Sequence, residues 1–108
     1  MEFRDPPDSR AQRLIPVVRY AVERRIAVGQ HDYWDYATLI ELAALARDPA
    51  AAQEALRGAL SHAREVWEPE STARNLSLIR EMRAQQGESP AWVQELEAAL
   101  LKRAGELR

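Results

Sequence analysis

The stretch DYATLIELAALARDPAAAQEALRGALSHA (residues 35–63) decides the fold class of this chain. Apolar residues recur every three or four positions on both sides of Asp48 and Pro49, which is the period of an amphipathic helix. Asp48 is a typical helix N-cap, and Pro49 suits the first helical position because proline lacks the N–H that would be unpaired there. The stretch therefore predicts two helices joined by a tight turn.

Small residues in the second of these helices indicate how closely the two helices pack. Ala52 and Ala59, with Leu56 between them, allow the helix axes to approach, while Tyr36 and Leu39 of the first helix fill the space beside them. This spacing is similar to that of the tetratricopeptide repeat, a helix pair of about 34 residues. The resemblance implies an architecture for holding other proteins.

Composition extends the helical prediction to the whole chain. Its 108 residues correspond to one domain, and 46% hydrophobic with 30% charged residues is typical of a globular protein. Nineteen alanines favour helices, and the six prolines lie near the ends of apolar periods. We predict an all-α fold of about five antiparallel helices in a tetratricopeptide-like stack of hairpins.

Helix boundaries follow from the caps and the prolines. The first helix spans about 9–28, and it either begins near Ile15, the preferred alternative, or bends at Pro16. Gly29 and Gly87 are expected to end helices. The second helix is predicted at about 33–46, and the third at about 49–67, with a stop at Glu68-Pro69. The fourth is predicted to run from a cap at Ser71 or Thr72 to about 86, and the fifth to begin at Ser89-Pro90. The domain prediction is a disordered lead-in at 1–8, one helical domain at 9–104 and a frayed tail at 105–108.

Several function classes are disfavoured by composition. The chain has no cysteine, which excludes disulfides and cysteine-based metal sites, and no cofactor is expected. A net charge of −2 and arginines spread around the first helix argue against nucleic acid, and no apolar run is long enough to span a membrane. Fourteen arginines against one lysine, with abundant alanine, suggest a bacterial protein of the cytoplasm.

Two longer segments carry a more specific resemblance. They are DYWDYATLIELA (residues 32–43) and WEPESTARNLSLI (residues 67–79). Together with the alanine-rich helix between them, they resemble the tetratricopeptide-like "TRAFs-binding" region of apoptosis-signal-regulating MAP kinase kinase kinases and its uncharacterised bacterial relatives. The resemblance covers about residues 18–85 and implies a non-catalytic protein-binding scaffold, with a regulatory role in the kinases. The signature residues expected to support the fold are Tyr36, Leu39, Glu41, Ala52, Leu56, Ala59, Trp67 and Asn75.

The densest group of aromatic and acidic residues is the candidate partner-binding site. Asp32, Tyr33, Trp34 and Asp35 lie in a segment, residues 31–70, whose net charge of −5 contrasts with +2 before it and +1 after it. Tyrosine and tryptophan dominate the residues that carry binding energy at interfaces. We expect Tyr33 or Trp34 to be exposed and to contact another protein or peptide.

Two polar residues of the signature have expected partners of their own. Glu41 lies within an apolar stretch, where an ion pair with an arginine such as Arg74 would satisfy its charge. Asn75 is expected to bond a nearby backbone group.

Two alternatives to a binding module remain open from the sequence. The chain could be the terminal piece of a longer helical array, with self-association through the first helix. It could also be a small enzyme or ligand carrier that uses Glu41, Asp32 and Asp35 together with His31, although a surface or capping role is the simpler reading of His31 and His62.

Overall fold

The computed structural model of the protein describes residues 7–29, 32–88 and 90–108, with only the backbone of residues 7–15. Within these ranges it contains five helices and no strand, which confirms the all-α prediction. The helices are α1 (Pro7–Ala27), α2 (Tyr33–Leu45), α3 (Pro49–His62), α4 (Trp67–Gln85) and α5 (Ala91–Leu107). None of them combines the length and the apolar character needed to cross a membrane.

The caps of α2 and α3 lie where the sequence predicts them. The carboxylate of Asp32 accepts hydrogen bonds from the N–H groups of Trp34 and Asp35, and Asp35 in turn accepts one from the Asp32 N–H. Asp48 accepts from the Ala51 N–H at 3.1 Å, with Pro49 at the first helical position. These bonds satisfy N–H groups that a helix start leaves unpaired.

The boundary between α3 and α4 differs from the prediction. The third helix was expected to run to Trp67, but α3 ends at His62 and α4 begins at Trp67. Pro69 lies in the first turn of α4, where its missing N–H costs no hydrogen bond, so it begins a helix and does not stop one. The Glu68 carboxylate accepts from the Arg64 and Glu65 N–H groups at 3.0 Å. The predicted caps Ser71 and Thr72 are therefore wrong, because both lie inside α4.

The first and last helices are longer than predicted. Helix α1 begins at Pro7 and carries Pro16 in its interior, so the expected start near Ile15 is wrong. Of the predicted lead-in, residues 1–6 lie outside the described part and Pro7 and Asp8 belong to α1. Helix α5 continues to Leu107, past the predicted boundary at 105, and the Arg108 guanidinium pairs with Glu70 of α4.

The helices form two antiparallel hairpins, α2–α3 and α4–α5, which stack so that α2 lies beside α4 and α3 beside α5. Helix α1 packs on α2. Helices α2 and α4 run parallel, since Tyr33 contacts Thr72 at one end and Leu45 contacts Arg83 at the other. The core contains mostly small and aliphatic side chains: Ala37, Ile40, Ala43, Ala44, Ala52, Ala55, Leu56, Ala59, Ala63, Ala73, Leu76, Val93, Leu96 and Leu100.

The packing of Tyr36 of α2 against α3 depends on a glycine inside α3. A Cβ atom at Gly58 would lie 2.2 Å from Cδ1 of Tyr36, well inside van der Waals contact. The Tyr36 ring also packs against the imidazole of His62, with ring centroids 4.8 Å apart. Tyr36 thus lies over Gly58 on the surface of α3, and a larger residue there would displace it.

Replacing Gly58 by alanine should therefore destabilise the protein. Glycine to alanine normally stabilises a helix interior by about 1 kcal/mol, whereas the Gly58→Ala clash should reverse the sign and cost about 1–3 kcal/mol. Urea denaturation followed by circular dichroism measures this change. Gly105→Ala in α5 is the matched control, because nothing lies within 4 Å of the added Cβ. Equal stabilisation by both substitutions would contradict the packing of Tyr36 on Gly58.

Candidate protein-interaction surface

Tyr33, one of the four candidate binding residues, lies in the interior between α2 and α4. It is 2% exposed, and its hydroxyl donates a hydrogen bond to Oγ1 of Thr72 at 2.7 Å. The Thr72 hydroxyl donates in turn to the Glu68 carbonyl oxygen at 3.3 Å. The side chain of Tyr33 therefore joins the two hairpins and is covered by them, so it contributes no exposed ring.

Trp34 and Trp67 form an exposed aromatic pair at the N-terminal ends of α2 and α4. Their ring centroids are 5.5 Å apart, and the two residues are 38% and 56% exposed. The Trp34 ring also meets Tyr33 edge to face at 5.1 Å. We call Trp34 and Trp67 the tryptophan pair. The expected exposure of Trp34 is found, whereas the sequence assigned Trp67 to structural support. Both residues occupy the first turn of the opening helix of their hairpin, and that common position is the signal that could have linked them.

Asp35 faces away from the tryptophan pair and holds α1 against α2. Its carboxylate accepts hydrogen bonds from Nε and Nη2 of Arg25, at 2.9 and 3.4 Å, as well as from the Asp32 N–H at 3.0 Å. The side chain is mostly buried, and the Asp35 carboxylate raises the pKa of Arg25. Asp32 itself is exposed beside Trp34. Of the four predicted residues, only Asp32 and Trp34 thus reach the surface.

Glu41 and Asn75 bridge α2 and α4 further along the same two helices. Asn75 Nδ2 donates a hydrogen bond to Oε2 of Glu41 at 3.0 Å. Among the described residues, the partner of Glu41 is therefore Asn75 and not the expected Arg74, and Asn75 bonds a side chain and not the expected backbone group. The remaining signature residues line the α2–α3 packing: Tyr36, Leu39, Ala52, Leu56 and Ala59.

The surroundings of Tyr33 are acidic as well as apolar. Burial raises its pKa to about 12, with smaller contributions in the same direction from the carboxylates of Glu68 and Glu41, while the hydrogen bond to Thr72 acts in the opposite direction. Carboxylates raise the pKa of a neighbouring phenol by repelling its anion, so this effect indicates negative potential around the Tyr33 hydroxyl.

The three carboxylates considered as catalytic candidates, Asp32, Asp35 and Glu41, each have a structural partner. Asp32 and Asp35 serve the helix cap and the ion pair to Arg25, while Glu41 bonds Asn75. His31 lies outside the described residues. Across the described part of the chain, no group of three or more histidine or acidic side chains is arranged to hold a metal ion.

The buried hydroxyl of Tyr33 predicts a loss of stability at alkaline pH. Because the pKa is about 12 in the folded state and 10 in the unfolded state, the contribution of Tyr33 is complete below pH 10 and is lost as the pH rises towards 12. Tyr33→Phe should lower stability by about 1 kcal/mol at neutral pH and flatten this alkaline decline. Denaturant unfolding at several pH values tests both effects, with Tyr20→Phe on exposed α1 as the control. Parallel pH profiles for the protein and Tyr33→Phe would contradict the assignment.

Comparison with known protein families identifies the family of the chain. The family profile described as the MAP3K TRAFs-binding domain matches residues 2–98, which is most of the chain. No curated protein and no solved structure gives a match. The family is defined as a protein-binding domain, and its profile spans α1 to α4, including the tryptophan pair, and the first half of α5. The chain belongs to the family of MAP3K TRAFs-binding domains.

Proposed function

We propose that the chain is a non-catalytic scaffold that binds a protein partner through the tryptophan pair. The observation that carries the proposal is the exposed Trp34–Trp67 pair, with ring centroids 5.5 Å apart, at the junction of two hairpins. Two large rings held in place before binding lose little conformational entropy on association, which is the property of interface anchors. Membership in a protein-binding family supports the same conclusion.

The partner segment that best fits this surface combines apolar and basic side chains. The exposed residues Asp32 and Glu65 each lie two positions before one of the two tryptophans, and residues 31–70 carry a net charge of −5. An arginine or lysine on the face of either indole would gain a cation–π interaction and a nearby carboxylate. The TRAF proteins for which the family is named are one class of candidate partner.

The arrangement of the two hairpins supports a tetratricopeptide-like stack. The opening helices α2 and α4 are parallel, and their first residues, Tyr33 and Trp67, are 34 positions apart. This separation equals the length of a tetratricopeptide repeat, about 34 residues. We place the protein in a bacterial cytoplasm on the basis of its composition, and we propose a regulatory role by analogy with the family.

Removing the tryptophan pair should weaken partner binding without unfolding the chain. We expect the double variant Trp34→Ala/Trp67→Ala to lose at least about tenfold in affinity, since a central tryptophan at an interface contributes about 2 kcal/mol or more. The partner is first identified by capture from a lysate of the source organism, with purified TRAF domains tested in parallel. Its dissociation constant is then measured by calorimetry for the protein and the variant.

The matched control is Leu101→Ala, which removes another exposed apolar side chain on α5. It should leave the affinity unchanged. Asp35→Lys is not a suitable test, because it would break the ion pair with Arg25 and the helix cap. A partner that binds the double variant as tightly as the parent would contradict this surface assignment, provided that circular dichroism shows both to be folded.

A second candidate, self-association or membership in a longer helical array, is favoured by the outer face of α1. Val17 and Tyr20 of α1, and Val28 just after its end, are each more than 60% exposed, and we call these three residues the outer face of α1. Apolar surface at the open end of a helical stack is expected to pair with another helix.

Sedimentation velocity over a range of concentrations tests this second candidate. We expect the protein to associate reversibly at high concentration and the variant Val17→Ser/Tyr20→Ser to remain monomeric, because the substitutions remove the exposed apolar area. Leu101→Ala on α5 again serves as the control. A monomer at every concentration would leave the outer face of α1 without a role in self-association.

A further inference from the structure

The C-terminal ends of α2 and α4 meet on the side of the molecule opposite the tryptophan pair. Both helices end in the same motif of two hydrogen bonds. In α2 the Asp48 N–H donates to the Ala43 carbonyl at 2.9 Å and the Arg47 N–H to the Ala44 carbonyl at 3.3 Å. In α4 the Glu88 N–H donates to the Arg83 carbonyl at 2.9 Å and the Gly87 N–H to the Ala84 carbonyl at 3.0 Å. The left-handed residue of this motif in α4 is Gly87, but in α2 it is Arg47, with φ of 57°. An arginine in this conformation costs about 1 kcal/mol relative to glycine. The cost of this backbone conformation indicates that the side chain of Arg47, which bonds Glu88, has a role at this position.

Arg83 is the second unusual residue at these helix ends. It is 4% exposed, and its Nη2 donates a hydrogen bond to the Leu45 carbonyl oxygen at 2.9 Å. Its Nη1 is buried and has no hydrogen-bond partner within the described residues. A buried cationic group without a full set of acceptors is costly, because it has lost its water without replacement. The Nη1 group of Arg83 can therefore donate a hydrogen bond to another anion.

The carboxylate already present, that of Glu88, is shared unequally between two arginines. Arg47 donates to it from Nε and Nη2 at 3.2 and 2.9 Å, whereas Arg83 Nη1 lies 3.7 Å away, beyond hydrogen-bond distance. Hydrogen bonding from Arg47 is the main cause that lowers the pKa of Glu88, so the carboxylate is ionised at neutral pH. Two guanidinium groups thus approach one carboxylate at this point.

These three charged side chains line one edge of an open pocket of about 450 Å³ between α2, α4 and the start of α5. The opposite walls are apolar and include Ile79, Trp92 and Val93. The first turn of α5 belongs to the pocket and contains no acidic residue. The N-terminus of a helix attracts negative charge through its dipole and its unpaired N–H groups. The pocket thus has a cationic edge and an apolar wall.

We propose that this pocket binds an amphipathic carboxylate, with Arg83 and Arg47 pairing with the carboxylate and Trp92 and Ile79 covering the apolar group. The incoming carboxylate would take the position beside Arg83 Nη1 that the Glu88 carboxylate approaches without reaching. This ligand chemistry has two sources, the C-terminus of a protein with an apolar last residue, or a free organic acid with an aliphatic chain. The site is distinct from the tryptophan pair and does not depend on it.

Nuclear magnetic resonance titration of the full chain tests the proposal. N-acetyl-leucine represents a protein C-terminus, octanoate represents a free organic acid, and N-acetyl-leucinamide is the neutral control. The reporters are the indole N–H of Trp92 and the Nε–H of Arg83, while the indole signals of Trp34 and Trp67 report on the distant end. We expect both carboxylates to shift the pocket reporters and the amide to bind at least about tenfold more weakly, as the loss of a charge-assisted hydrogen bond requires.

Four variants separate binding from folding. Arg83→Gln and Arg47→Gln should each weaken N-acetyl-leucine binding about tenfold or more, and the second, at a more exposed position, guards against loss of the fold in the first. Glu88→Gln should tighten binding several-fold, because it removes the carboxylate that competes for Arg83. Arg80→Gln is the control, since Arg80 lies on the same helix but pairs with Glu97 outside the pocket.

The outcomes distinguish the proposal from a purely structural role for these arginines. Stronger binding of either carboxylate than of the amide supports the site, and the preferred carboxylate identifies its source. Absence of shifts at Trp92 and Arg83 with both carboxylates would overturn the proposal. Equal binding of the amide, or weaker binding by Glu88→Gln, would also overturn it, because the carboxylate would then not be the recognised group.

Discussion

The hydrogen bond from Tyr33 to Thr72 is the interaction on which the arrangement of the two hairpins depends. It is buried between α2 and α4, 2.7 Å long, and it fixes which turn of one helix lies beside which turn of the other. The apolar contacts between these helices involve alanines and aliphatic side chains, so they specify distance better than register. A polar pair in such an interface specifies register, since any slip would leave the buried Tyr33 hydroxyl without a partner. The position of Trp34 beside Trp67 follows from this register.

Local signals were sufficient for the helix starts at Asp32 and Asp48, because a cap needs only the residues next to it. They failed at Pro69, where the same proline can follow one helix or begin the next. The deciding contact is made by the Glu68 carboxylate, which accepts from two N–H groups upstream of it. At Pro16 the sequence again left two alternatives, a helix that begins near Ile15 and a longer helix that contains Pro16, and the structure has the longer helix. Proline therefore locates a boundary only when its neighbours supply a cap.

The candidate site could be predicted in part, and the reason lies in helical geometry. Successive residues of a helix point about 100° apart, so four consecutive residues cannot share one surface. Tyr33 points to α4 and Asp35 to α1, which leaves Trp34 exposed between them. Knowing which neighbour covers which side requires the tertiary arrangement. Trp67 joins the site from a residue 33 positions away, and only the parallel packing of α2 and α4 brings the two rings together.

The same pair of helices carries a different chemistry at each end. The N-terminal ends present two exposed indoles in an acidic segment, while the C-terminal ends gather Arg47, Arg83 and Glu88 around an apolar pocket. Helix α2 has 13 residues, so these ends are about 20 Å apart. Each end is fixed by its own bond between helices, Tyr33 to Thr72 at one and Arg83 to Leu45 at the other. A ligand that rearranges the arginine cluster would therefore leave the Tyr33–Thr72 bond intact, because groups this far apart with no shared partner respond independently.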